Sequence, residues 1–185
     1  MTNQLKPLTA LLPPPKNPVG LGRTWLEVER ELGVALPSDF KDFVDKYGTG
    51  LIAGAGSDLG FLHVWNFRDP DRPSIVDAVS GVIKGYEDAK KKGYASPYPF
   101  YPAAGGLLPF ASTPDGDYFN WRTVGSPPKW DVVFYFFDVA EMILLKNQSF
   151  SQTLIDLLSG HSSLIPATIP ADALTPPCRF TMYDW

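Results

Sequence analysis

A chain of 185 residues is long enough for one well-packed domain and too short for two comfortable ones. Its 44% hydrophobic and 19% charged content is that of a soluble globular protein, and a net charge of −4 argues against a general binder of nucleic-acid phosphates. A single cysteine, Cys178, excludes an internal disulfide framework and fits a reducing compartment.

The N-terminus lacks the continuous apolar core of a signal peptide, because Lys6, Pro7 and Pro13 to Pro15 interrupt it. No run reaches the roughly 18–20 apolar residues of a membrane helix, so a cytoplasmic location is expected. Charge is unevenly spread. Residues 1–100 carry twelve basic and twelve acidic side chains, whereas residues 101–185 carry four and eight. That acidic C-terminal half suits a basic partner, and equally suits a mildly acidic soluble surface.

Five prolines between Pro7 and Pro18 argue against helix, so residues 1–21 read as a proline-rich arm. It either packs through Leu8, Leu11 and Leu12 or stays disordered. Thr24 opens a helix with Glu27 three residues on, a reciprocal cap for two orphan N–H groups. Trp25, Val28 and Leu32 form its apolar stripe, and Gly33 ends it. Pro37 starts a second helix, with Phe40, Phe43, Val44 and Tyr47 on one face and Gly48 as its stop. The glycines from 48 to 60 read as turns. GTGLIAGAG lacks the following Lys-Ser/Thr and helix that a phosphate loop needs.

Phe61 to Phe67 alternates like a strand, and a turn follows at 69–73. A third helix is predicted over 74–92, its lysines 90–92 facing the negative helix end. Prolines 97, 99 and 102 mark a loop. Leu107–Ser112, Asp117–Thr123 and Val132–Phe137 read as strands, the first two joined by the hairpin residues Pro114-Asp115-Gly116. Continuous FYFF makes the third a central strand covered on both faces, and Met142–Leu145 reads as one more short strand. Ser149 and Gln152 box the start of a last helix that ends at Gly160. The proline-broken tail, 161–185, is expected to pack back through CRFTMYDW as an edge strand or a plug. Helices outside a run of hairpin strands argue a single α+β domain over 22–160, with a twisted, mostly antiparallel sheet.

No catalytic constellation emerges. His63 and His161 have no second ligand at metal spacing, and Cys178 has no identifiable base. Asp115 and Asp117 flank Gly116, but the calcium-loop pattern and its terminal Glu are missing, so a hairpin turn is the better reading. No cofactor or metal is expected. Trp65, Tyr118, Trp121 and Trp130 stand near loops or strand ends beside acidic residues, the composition of an anchoring patch for a basic protein. The competing reading is that most of these aromatics fill the core.

The stretch W-x-x-V-E-x-E-L-G, then LPSDFKDFVDKYGTG, resembles the SUKH superfamily, the Smi/Knr-like proteins. The matching positions are Trp25, Glu29, Leu32, Gly33, Leu36, Pro37, Asp39, Phe40, Phe43, Tyr47, Gly48 and Gly50. LLPFASTPDGDYFNW at 107–121, and WDVVFYFFD followed by SFSQTLIDLL, are similar to the family's later passages. The resemblance implies an α+β fold and, for bacterial members, an immunity protein that binds and neutralises a cognate toxin domain, often a nuclease. Fungal relatives are implied to be regulatory scaffolds. On that basis the expected partner is a basic toxin domain, bound without catalysis. The expected contact residues are Asp58, Trp65, Asp115, Asp117, Tyr118 and Trp121.

Overall fold

The computed structural model describes residues 5–55, 60–94, 96–164, 174 and 176–182. The elements in chain order are α1 (Lys6–Leu11), α2 (Trp25–Leu32), α3 (Ser38–Tyr47), β1 (Gly50–Ala53), β2 (His63–Val64) and α4 (Ile75–Lys91). They continue with β3 (Leu107–Ser112), β4 (Tyr118–Arg122), β5 (Asp131–Phe136), β6 (Glu141–Leu145), α5 (Phe150–Leu158) and β7 (Arg179–Met182). Strands β2-β3-β4-β5-β6 form one antiparallel sheet in sequence order, and β1 pairs with β7 in a second, two-stranded one. The class is α+β, as the hairpin run implied.

Local chemistry accounts for the two opening helices of the domain. The Thr24 hydroxyl accepts from the Glu27 N–H, and the Glu27 carboxylate accepts from the Thr24 N–H at 2.7 Å. Gly33 closes α2 at a φ of 75°. At Gly48, φ is 70° and an added Cβ would lie 2.3 Å from the Val19 carbonyl oxygen. Only glycine therefore lets the chain leave α3 against the N-terminal arm. The Trp25 indole N–H and the Arg68 guanidinium both donate to Asp45 Oδ1, at 2.8 and 2.7 Å, tying α2, α3 and the segment after β2 together.

Three parts differ from the sequence reading. The proline-rich arm contains a helix: Pro7 falls in the first turn of α1, where a missing N–H costs nothing, and Pro13 follows its end. Leu8 and Leu12 of this arm are fully buried. Residues 50–53, expected among turns, form β1, and the tail, expected as an edge strand or a plug, pairs with that strand as β7. Gly50 permits this pairing, since an added Cβ would sit 2.5 Å from the Phe180 ring. The strand foreseen over 61–67 is regular only at His63–Val64.

The main sheet is covered on both faces, which is why β5 carries four consecutive buried residues, Val132 to Tyr135. On one face Phe110 and Trp121 stack at 4.4 Å and meet Phe40 of α3 and Phe150 of α5. The other face receives α4, whose Tyr86 hydroxyl donates to Asn120 Oδ1 at 3.0 Å and whose ring packs on Tyr135. The buried Asp39 carboxylate of α3 accepts from both the backbone N–H and the hydroxyl of Ser151, at 2.9 and 2.7 Å. One acidic side chain thus satisfies orphan donors in the first turn of α5 and locks two helices together.

Candidate functional site

Two turns meet at one end of the main sheet. The β3–β4 turn holds Pro114, Asp115 and Gly116, and the β5–β6 turn runs from Phe137 to Ala140. Asp117 Oδ1 accepts from the Phe137 N–H at 2.9 Å and so fastens the second turn to the first. Glycine at 116, with a φ of 88°, makes the hairpin reversal.

This tip concentrates negative charge. Burial pushes the Asp117 carboxyl above its ordinary range, and the neighbouring charges of Asp115 and Asp138 push it the same way, against the hydrogen bonds from Phe137 and Thr113. Asp115, Asp138 and Glu141 are exposed. Among the described residues none of the three takes part in a salt bridge. Between these carboxylates stand Phe137 and Val139, each 49% exposed. An acidic rim around exposed apolar side chains has the composition by which a contact surface is recognised.

The tip opens into a groove of about 380 Å³ between α4 and the sheet. Tyr118 and Phe137 line its sheet side, and Ala78, Gly81 and Gly85 its helix side. Trp65 lies edge-on to Tyr118 at 6.1 Å and donates its indole N–H to Ser112 Oγ at 3.2 Å. Tyr118 in turn meets Tyr86 edge-on at 6.0 Å, so Trp65, Tyr118 and Tyr86 form one continuous aromatic row.

Of the six expected contact residues, the structure brings four together. Trp65, Asp115, Asp117 and Tyr118 share this end of the sheet, although Asp117 is buried and acts by holding Phe137. Asp58 lies outside the described residues. Trp121 is a correction: it is 1% exposed and packed in the aromatic core, and so cannot reach a partner. The reason is strand alternation, which sends Trp121 and Phe119 to the α3/α5 face and Tyr118 and Asn120 to the α4 face. Trp130, the other aromatic near a loop, is buried as well.

Sequence reasoning missed Phe137, Asp138, Val139 and Glu141. Phe137 reads as the last residue of an apolar strand, yet β5 ends at Phe136 and Phe137 belongs to the turn. The missed glycines 81 and 85 had a signal, namely two poor helix formers four apart inside an otherwise strong helix.

Among the described residues, no group of three His, Cys, Asp or Glu side chains is placed to hold a metal ion. None of the described helices is long and apolar enough to cross a membrane. His63 has its imidazole lowered to about 4 by burial and by the nearby Arg72 charge, which keeps it neutral at physiological pH. Cys178 is buried, its thiol pushed up and directed at the Leu174 carbonyl, the environment of an inert cysteine.

Residues 24–152 match the family model SUKH_6, described as SMI1-KNR4 cell-wall. That span runs from the capping threonine of α2 into the first turn of α5. No curated protein and no solved structure matches the chain.

Proposed function

Because the chain belongs to the SMI1-KNR4 cell-wall family SUKH_6, we propose that it is an immunity-type protein that binds and neutralises a cognate toxin domain by contact, without catalysis of its own. The observation that carries this reading is the tip, with Asp115, Asp138 and Glu141 around exposed Phe137 and Val139. Such a surface attracts a basic face over long range and then anchors it through apolar contact. A nuclease fits this description, because its phosphate-binding groove is basic. Covering that groove would block its substrate without any chemistry on the inhibitor's side.

Co-expression with toxin domains encoded in the gene's neighbourhood tests the reading, and a neighbourhood without any counts against it. The expected result is protection of the host and a complex that survives purification. Asp115→Lys with Asp138→Lys should slow association about tenfold or more and flatten its salt dependence. Absence of both protection and complex would overturn it.

The family's cell-wall description favours a second reading, a regulatory scaffold of the fungal type that works through the same kind of protein contact. A gene located far from any toxin, together with capture of an endogenous regulatory protein by the tip, would select it.

A further inference from the structure

The groove beside the tip has a feature that the fold does not require. Ala78, Gly81 and Gly85 lie at i, i+3 and i+7 of α4 and share one helix face. A glycine inside a helix is usually kept because a neighbour approaches too closely for a side chain. Here a Cβ added at Gly81 or Gly85 would meet nothing within 4 Å among the described residues, and neither residue has a positive φ. The helix therefore carries two weak positions with no contact among the described residues to explain them. Their effect is to leave an open trough, walled opposite by Tyr118 and the half-exposed Phe137.

Charge indicates what enters. Asp77 lines the same groove one turn before Gly81, and the Asp115 and Asp138 carboxylates stand at the tip into which it opens. An apolar trough with a carboxylate rim complements an apolar side chain carried between cationic ones. It would repel an acidic segment and offers little to a neutral polar one.

We propose that the α4 groove is the anchor pocket of the binding face, and that it receives an apolar side chain flanked by Lys or Arg on a segment of the protein partner. This rests on the reading of the molecule as a binder of a basic protein and names the chemistry by which it would hold one. Tyr118 and Phe137 supply the face against which the apolar group is desolvated, and the two glycines supply the depth. The carboxylates of Asp77, Asp115 and Asp138 take the flanking cations.

Isotope-labelled full-length protein titrated with the capped peptide Lys-Arg-Leu-Arg-Lys, and with the same peptide carrying Ser for Leu, tests this directly. The Leu peptide should shift the backbone amides of Gly81 and Gly85 and bind about tenfold more tightly than the Ser peptide. Gly81→Leu with Gly85→Leu raises helix propensity, so it keeps the fold, and it should abolish the difference between the peptides by filling the trough. The inference is overturned if the two peptides bind alike, if Gly81 and Gly85 do not shift, or if the double variant discriminates as well as the native chain. Capture of a co-expressed toxin domain separates this from the wider reading. A double variant that still captures the toxin as tightly as the native chain sinks the groove and leaves toxin binding standing, whereas no capture by the native chain sinks the wider reading.

Discussion

The two faces of the main sheet are built from the same strands and solve different problems. On the α3/α5 face, Trp121 stacks on Phe110 at 4.4 Å and meets Phe40 edge-on at 4.9 Å, with Phe150 closing the cluster. Every one of these rings is buried. On the α4 face, Tyr86, Tyr118 and Tyr135 also pack edge to edge, but two of the facing helix residues are glycines and the packing stops short at the tip. Dense aromatic interdigitation makes the first face a source of stability. Incomplete coverage makes the second a place where another molecule can complete the packing.

The largest expected effect tests that asymmetry. Trp121→Ala should destabilise the protein by about 3–5 kcal/mol in chemical denaturation, through a cavity the surrounding rings cannot close. Tyr118→Ala on the other face should cost only about 1–2 kcal/mol, since that side chain is already partly exposed. Equal losses at the two positions would mean the faces are packed alike. Next in size is Asp39→Ala, which strands two donors of Ser151 in the α3/α5 face and should cost about 2 kcal/mol. Asp39→Asn should recover part of that loss, because its side-chain oxygen can still accept.

A pH effect sharpens the comparison from the side of β2. His63 is held neutral in the folded state down to about 4, whereas in the unfolded chain it takes up a proton near 6.5. Between those values the unfolded chain binds more protons, so stability is fully present above 6.5 and is lost as pH falls toward 4. The loss should be on the order of 2 kcal/mol once partial exposure is allowed for. Asp117, whose carboxyl is raised, acts with the opposite sign, so that its folded-state penalty is relieved as pH falls through its raised value. Urea titrations of the native protein and of His63→Leu should therefore differ in slope between pH 6.5 and 4. Identical profiles would show that His63 is protonated alike in both states.

The smallest effect carries the opposite sign. Gly81→Ala and Gly85→Ala should each stabilise the protein by about 1 kcal/mol or slightly less, read as a raised midpoint. Among the described residues, nothing opposes the added methyl groups. A loss of stability at either position would mean that α4 packs more tightly along the groove than its geometry indicates.

How much of this was legible in the chain depends on how local each cause is. The capping box of α2, the glycine stops of α2 and α3, the cap of α5 and the covered centre of β5 are written in residues a few positions apart, and all are found in place. Lone prolines misled where position outweighs identity, since Pro7 sits in the one helical turn that tolerates it. The tail was expected to return as an edge strand or a plug, but its partner β1 was not foreseen, because the paired residues are about 130 positions apart and four residues of GLIA carry no alternation that sets them apart from a turn. The candidate site was half legible. Tyr and Asp beside a hairpin signal gave Asp115, Asp117 and Tyr118, but nothing local says that the next hairpin, with Phe137 and Asp138, folds against the same turn.

Residue order alone determined the class, the family and, apart from α1 and β1, the order of the elements, because capping, alternation and turn chemistry act over three or four residues and need no partner. The alternation of YFNWR puts Tyr118 and Trp121 on opposite faces, a cue that grouping both among the expected contacts overlooked. Which of those faces would be sealed by aromatic helices and which left open was decided only when α3 and α5 closed over one side and α4, with its two glycines, over the other. Burial is a property of the covering element, and a strand's own sequence does not specify what lies above it.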